Sequence, residues 1–151
     1  MFQTAPVTVE RAEAFSQEDM QAYVDLHYVL SPESVVDFDS IASQVAIRLQ
    51  TPEFNAIFAA RFAGRLVGRA SAYLLPKDAG SEVRVEELVA FPETAGQKVG
   101  ERLTVACVDW AKELGAVQVE LTTAPHRIAA NHIYEKLGFE IRETNVRRLQ
   151  L

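Results

Sequence analysis

A chain of 151 residues, 48% hydrophobic and 24% charged, has the size and balance of one globular domain with a single core. Its formal net charge of −6 argues against nucleic acid or an anionic membrane surface as the main partner, while leaving a small cationic substrate open. Its one cysteine, Cys107, allows no intrachain disulfide. Together with an N-terminus that lacks a signal-peptide pattern and with no apolar run near the roughly 18 residues of a membrane span, this predicts a cytoplasmic protein.

No repeat, linker or low-complexity run divides the chain, so residues 1–151 are expected to form one domain. Residues 6–10 (PVTVE) read as a first strand. Ser16 and Asp19 resemble a capping box, and the helix they open carries Met20, Tyr23, Val24, His27 and Leu30 on one stripe before Ser31-Pro32 stops it. His27 is expected to pack there. Asp37 to Ser40 can cap a second helix, with Ile41, Val45 and Leu49 in register and Pro52 at its end. The link between the helices places Glu33, Asp37 and Asp39 around Phe38. Caps in a solvated loop account for them; an acidic lip that attracts an amine is the functional alternative.

Residues 55–62 and 66–75 are β-rich runs joined at Ala63-Gly64-Arg65, a tight hairpin. Residues 82–91 form a third strand, so the middle of the chain is an antiparallel meander. This third strand runs into PETAGQK and then directly into an amphipathic helix over 100–114. Such a strand, turn and helix aim consecutive backbone N–H groups and the positive end of a helix dipole at one point, where a pyrophosphate fits without basic side chains. Cys107 shares the helix's buried stripe with Leu103, Trp110 and Leu114, which predicts an inert thiol. Gly115 caps the helix, residues 117–123 form a strand parallel to the third, and a helix over 128–137 ends at Gly138. Residues 139–144 and 146–151 read as two closing strands. The expected class is α/β (α+β): a mixed, mostly antiparallel sheet of about seven strands with helices on both faces, in the order β-α-α-β-β-β-α-β-α-β-β.

Two segments carry a family resemblance. VEELVAFPETAGQKVGERL is similar to the strand and pyrophosphate loop of the GNAT superfamily of acyl-CoA-dependent N-acetyltransferases, and RIAANHIYEKLGFE is similar to its late helix, with a Y-E-K-L-G-F run as hallmark. The order of elements matches over nearly the whole chain. The loop departs from the family pattern in holding Ala95 at the usual Arg or Gln position and Lys98 at the first glycine position. A P-loop would need Gly-Lys followed by Ser or Thr, which is absent.

The resemblance implies acetyl-CoA as cofactor, no metal, and transfer of acetyl directly to a primary amine of a small molecule, peptide or protein. Leu88, Val89 and Ala90 would pair with the pantetheine arm, the Val89 N–H polarising the thioester carbonyl. The loop and helix start, Ala95, Gly96, Gln97, Lys98, Val99, Gly100 and Glu101, would hold the pyrophosphate. Tyr134 would be the general acid, Asn131 a cofactor contact one turn earlier, and Arg127 stands where many members carry an asparagine. Lys136 would lie near the adenine–phosphate end or in solvent. For the base, Glu86 and Glu87 are read as facing opposite sides of their strand, and Glu86, sharing a face with Arg84 and Leu88, is preferred; an ordinary ion pair is the bland account of either. A CoA-binding sensor with little catalysis and a transferase for longer acyl chains are the alternatives. The final strand, NVRRLQL, offers a sheet edge through which a homodimer could form.

Overall fold

The computed structural model describes residues 5–151; the first four residues of the N-terminal stretch read above for a signal peptide lie outside the described residues. Five strands form one sheet in the order β1-β2-β3-β4-β5. They are β1 (Thr8–Arg11), β2 (Asn55–Phe62), β3 (Arg65–Leu75), β4 (Glu82–Ala90) and β5 (Gln118–Leu121). The first four pair antiparallel, and β4 pairs with β5 in parallel. The helices are α1 (Gln17–Leu30), α2 (Phe38–Leu49), α3 (Val99–Glu113) and α4 (Ile128–Lys136). Among the described residues no helix is long and apolar enough to cross a membrane.

Local chemistry places these elements. The capping box at Ser16 and Asp19 is formed, and Asp37 accepts from the Ser40 amide at 2.8 Å to open α2. Ala63 and Gly64 both take positive φ, 49° and 78°, which gives the primed two-residue turn that suits a twisted hairpin. The helices α3 and α4 both end in a paired closure on a left-handed glycine: Ala116 and Gly115 donate to Ala111 and Lys112, Phe139 and Gly138 to Tyr134 and Glu135. Alternation along the strands then builds two cores. On one face Val83, Val85, Ala70 and Ala72 pack against Leu103, Cys107 and Trp110 of α3. On the other Ile57, Ala59, Leu66 and Val89 pack against Tyr23, Val24 and Leu26 of α1 and Ile41 and Val45 of α2. Cys107 is fully buried and its thiol is pushed up to about 12 by desolvation, as its stripe position predicts.

The sheet has five strands rather than about seven. Residues 139–151 take no regular structure, and Ile141, Val146, Leu149 and Leu151 are exposed. A strand needs a partner edge as well as alternation. Among the described residues the sheet edge nearest in sequence is β5, which is four residues long, and charged Glu140, Arg142, Glu143, Arg147 and Arg148 punctuate the run. Its one ionic anchor among the described residues is Arg142 to Glu120 at 2.8 Å. The strand through which a dimer was expected to form is therefore not built here.

Candidate active site

The parallel pairing of β4 with β5 stops at Val85 and Leu121, whereas β4 continues to Ala90. Beyond Val85 no strand among the described residues pairs with its outer edge, because β5 ends at Leu121; this unpaired edge is the cleft of the candidate site. Phe91 donates to the Val67 carbonyl at 2.9 Å, and Val89 pairs with Arg69 two residues back. In an antiparallel ladder residues face the partner alternately. The Val89 amide thus belongs to the β3 side, and Leu88 and Ala90 turn their N–H and C=O groups to the open edge. The Val89 N–H, expected at the thioester, therefore lies on the β3 side of the strand.

A bulge lies just before this segment. The β3–β4 register shifts between Arg69 and Ser71, and Glu87 sits at φ 53°, the left-handed geometry of a bulged residue. Glu86 pairs directly with Ser71, and paired residues share a face. The Glu87 carboxylate accepts from the same Ser71 hydroxyl at 3.2 Å. Both carboxylates consequently point toward α1 and α2, while Leu88 packs on the α3 side. The expectation that Glu86 and Glu87 face opposite ways, with Leu88 beside Glu86, fails because the extra residue breaks the period of two. Glu86 has its pKa raised, first by burial and then by Glu87, against a lowering by Arg84.

The turn after β4 is a short 3-10 segment, Pro92–Thr94, followed by Gly96 at φ 86° and Lys98 at φ 58°. Lys98 thus occupies a left-handed position, which explains why a glycine is usual there. Ala95 and Gln97 donate to Pro92 and Thr94 at 3.1 Å each, so their amides are used within the turn. Those of Gly96, Lys98, Val99, Gly100 and Glu101 find no backbone acceptor among the described residues, and α3 has no side-chain cap. An unmet row of donors at a helix start suits an anion. Gly68 lets β3 lie under this corner: a Cβ there would stand 2.8 Å from Val99 Cγ1 and 3.0 Å from the Val89 carbonyl.

The helix α4 closes the cleft. A Cβ on Gly100 would meet Leu88 Cδ2 and Ile133 Cδ1, each at 3.7 Å, so β4, α3 and α4 converge on that glycine. Tyr134 is buried, stacks edge-on with Phe139 at 5.8 Å, and has its pKa raised, first by desolvation, with Arg127 acting in the lowering direction. Asn131 gives its Nδ2 to the Ala124 carbonyl at 3.1 Å, which ties down the loop before α4. Lys136 pairs with Glu101 at 2.8 Å and holds α4 to the first turn of α3; this contact lowers the Glu101 pKa.

On the α1–α2 face lies a cavity of about 470 Å3, lined by Tyr23, His27, Gln44, Arg48, Arg69 and Glu87 among others. Glu33, Asp37 and Asp39 do not line it; all three are exposed, in keeping with caps in a solvated loop. His27 contacts the Ser34 hydroxyl at 2.7 Å. The sequence reading missed Arg48 and Arg69, whose proximity depends on α2 and β3 meeting in space.

The Acetyltransferase (GNAT) family model matches residues 13–139. No curated protein matches the chain. Among solved structures, an aminoglycoside N-acetyltransferase, AAC(6')-Iy, in complex with CoA is similar at 19% identity and a TM-score of 0.80, over 98% of this chain and 97% of that one. The glucosamine-6-phosphate N-acetyltransferase of Arabidopsis thaliana is similar at 15% identity and TM-score 0.79, over 94% and 98%. An acetyltransferase of Trypanosoma brucei is similar at 21% and 0.76, over 96% and 99%. At such identities the likeness is one of fold; the family model adds the sequence. With a start of α3 and an open β4 edge that suit a pyrophosphate and an extended arm, the chain belongs to the GNAT family of acetyl-CoA-dependent acetyltransferases.

Proposed function

We propose that the protein transfers acetyl from acetyl-CoA directly to the primary amine of a small molecule or peptide, with Tyr134 as proton donor and Glu86 as base. The observation that carries this is the convergence at Gly100 of unmet α3 amides, the open β4 edge and the helix bearing Tyr134. The names of two similar structures, an aminoglycoside and a glucosamine-6-phosphate N-acetyltransferase, favour a small polar amine.

Acetyl-CoA, when bound, supplies an activated acyl group and a thiolate leaving group. The amides of Gly96 and of Lys98 to Glu101 hold its pyrophosphate, and Lys98 adds a point charge. Leu88 and Ala90 present their outward groups to the pantetheine arm as a strand would, flanked by Val89 and Val99. The Leu88 N–H, the first outward donor past the bulge, would be the group to hold the acyl carbonyl oxygen. Asn131 keeps the α4 entry loop in place and leaves its carbonyl oxygen for the cofactor or a water. Ala95 and Gln97 spend their amides within the turn rather than on the pyrophosphate. Tyr134, protonated at neutral pH, would supply the proton that the leaving thiolate needs. Glu86, without an ion-pair partner within 4 Å among the described residues and raised by burial, takes the proton of the amine, directly or through water.

Tyr134→Phe keeps the ring and its packing on Phe139 and removes only the hydroxyl. The expected result is a fall in kcat of about 10²- to 10⁴-fold with the calorimetric affinity for acetyl-CoA unchanged. An unchanged kcat would reduce Tyr134 to a packing residue. If neither acetyl-CoA nor CoA binds at millimolar concentration, the transferase reading falls.

A further inference from the structure

The cavity between α1, α2 and the sheet holds more positive charge than it can neutralise. Its floor carries Arg48 and Arg69 against one carboxylate, Glu87. A single oxygen of that carboxylate, Oε2, accepts from Arg48 at 3.2 Å, from Ser71 at 3.2 Å and from Arg69 at 3.5 Å. Arg48 is otherwise well served, by Ser71 at 2.6 Å, Tyr23 at 2.7 Å and Tyr73 at 3.1 Å.

Arg69 is not. Its side chain is 1% exposed, its guanidinium lies 3.9 Å over the Tyr23 ring, and its hydrogen bonds to the Glu87 carbonyl and carboxylate are long, 3.4 and 3.5 Å. Its Nε is buried with no partner among the described residues. Burying a guanidinium with an unmet N–H is costly, and two guanidinium groups lining one cavity beside a single carboxylate favour an oxyanion as its occupant.

We infer that this cavity binds the anionic group, a carboxylate or a phosphate, of the amine that is acetylated, with Arg69 and Arg48 as its specificity residues. The acceptor is then a small zwitterion-like molecule rather than a polycation. Its anion sits between the two guanidinium groups and its amine points past Glu87 and Glu86 toward the open edge of β4. The placement of the amine rests on the transferase reading; the anion site does not. None of the acidic side chains Glu33, Asp37 and Asp39 lines the cavity, so the charge that selects the acceptor is basic, opposite to the lip considered from the sequence.

The test compares amines that differ only in the anion: γ-aminobutyrate with butylamine, and glucosamine 6-phosphate with glucosamine. Thiol release is measured for transfer, and each compound is also titrated calorimetrically onto the protein without cofactor. The anion-bearing member of at least one pair should show about tenfold or more higher kcat/KM and tighter binding. Preference in the first pair alone identifies an amino-acid-like acceptor, in the second alone a phosphorylated one. Arg69→Met should abolish the preference at unchanged acetyl-CoA affinity, and Arg69→Lys should restore part of it. Because Arg69 is buried, Gln44→Glu is the second variant. Gln44 is exposed at the mouth, and a carboxylate there, one helical turn from Arg48, should compete with the ligand and lower the preference several-fold without disturbing the fold. Equal or better use and binding of the amines that lack the anion in both pairs would overturn the inference, as would a preference that survives both Arg69→Met and Gln44→Glu. Binding of glucosamine 6-phosphate or γ-aminobutyrate by a protein that fails to bind acetyl-CoA would sink the transferase reading and leave the anion site standing.

Discussion

The two faces of the sheet are built on opposite rules. The face under α3 is dry: Val83, Leu103 and Cys107 are fully buried and the packing is aliphatic and aromatic. The face under α1 and α2 has an apolar rim, yet at its centre it buries Arg69, Ser71 and Tyr23 beside half-buried Arg48 and Tyr73. Dry packing is insensitive to the identity of its neighbours beyond their volume. A polar centre stands only if its groups are mutually satisfied. The first face therefore holds the molecule together, and the second spends stability on recognition.

The sharpest way to break that contrast is to cut each face once. Leu103→Ala opens a void in the dry core and should cost about 2–5 kcal/mol, read as a lower urea midpoint at unchanged slope. Ser71→Ala removes the hydroxyl that accepts from Arg48 and donates to Glu87, and should cost about 1–3 kcal/mol. Only Ser71→Ala should change acceptor KM. Should Leu103→Ala raise acceptor KM as strongly, the faces would not be functionally separate.

How much of this was legible differs between the faces for the same reason. The α3 face follows from periodicity, because Leu103, Cys107 and Trp110 recur at helical spacing and Val83 and Val85 alternate. The capping box and the glycine closures at Gly115 and Gly138 also follow from residues close in sequence. The strand, turn and α3 start were readable as elements, and the Y-E-K-L-G-F run pointed to the family that the family model matches. What escaped was set by distant partners. One extra residue at Glu87 reverses which carboxylates share a face and which amides face the cleft, and nothing in VEELVA marks it. The Arg48–Arg69 cluster unites a helix and two strands. Residues 139–151 alternate like strands, but alternation cannot supply a long enough edge to pair with.

A smaller effect tests how α1 is held over the polar face. Asp19 receives two hydrogen bonds from Arg61, at 2.8 and 2.9 Å, and its pKa is lowered from 3.8, chiefly by that contact. A carboxyl depressed in the folded state contributes stability above its unfolded pKa and loses it as the pH falls through the folded one. Asp19→Asn should therefore cost about 1 kcal/mol near neutrality, with the gap to the unchanged protein closing below pH 3.8. A gap that persists in acid would mean that Asp19 acts through the helix cap rather than through its charge.

Glu86 should behave with the opposite sign, and this separates a functional carboxylate from a structural one on the same face. Its folded pKa lies above 4.5, first because of burial. For a raised carboxyl the folded state binds more protons between the two pKa values, so stability falls as pH rises from the unfolded pKa through the folded one. Glu86→Gln removes that penalty. The variant should be slightly more stable than the unchanged protein at pH 7 and indistinguishable from it below pH 4.5. Acetyl transfer at pH 7 should meanwhile drop about 10²-fold, with acetyl-CoA affinity retained. Stability gained where activity is lost is the mark of a group kept ionised for chemistry. A variant that is less stable at pH 7 would instead place Glu86 in a structural pair with Arg84, and the base would have to be sought in Glu87 or a water held by it.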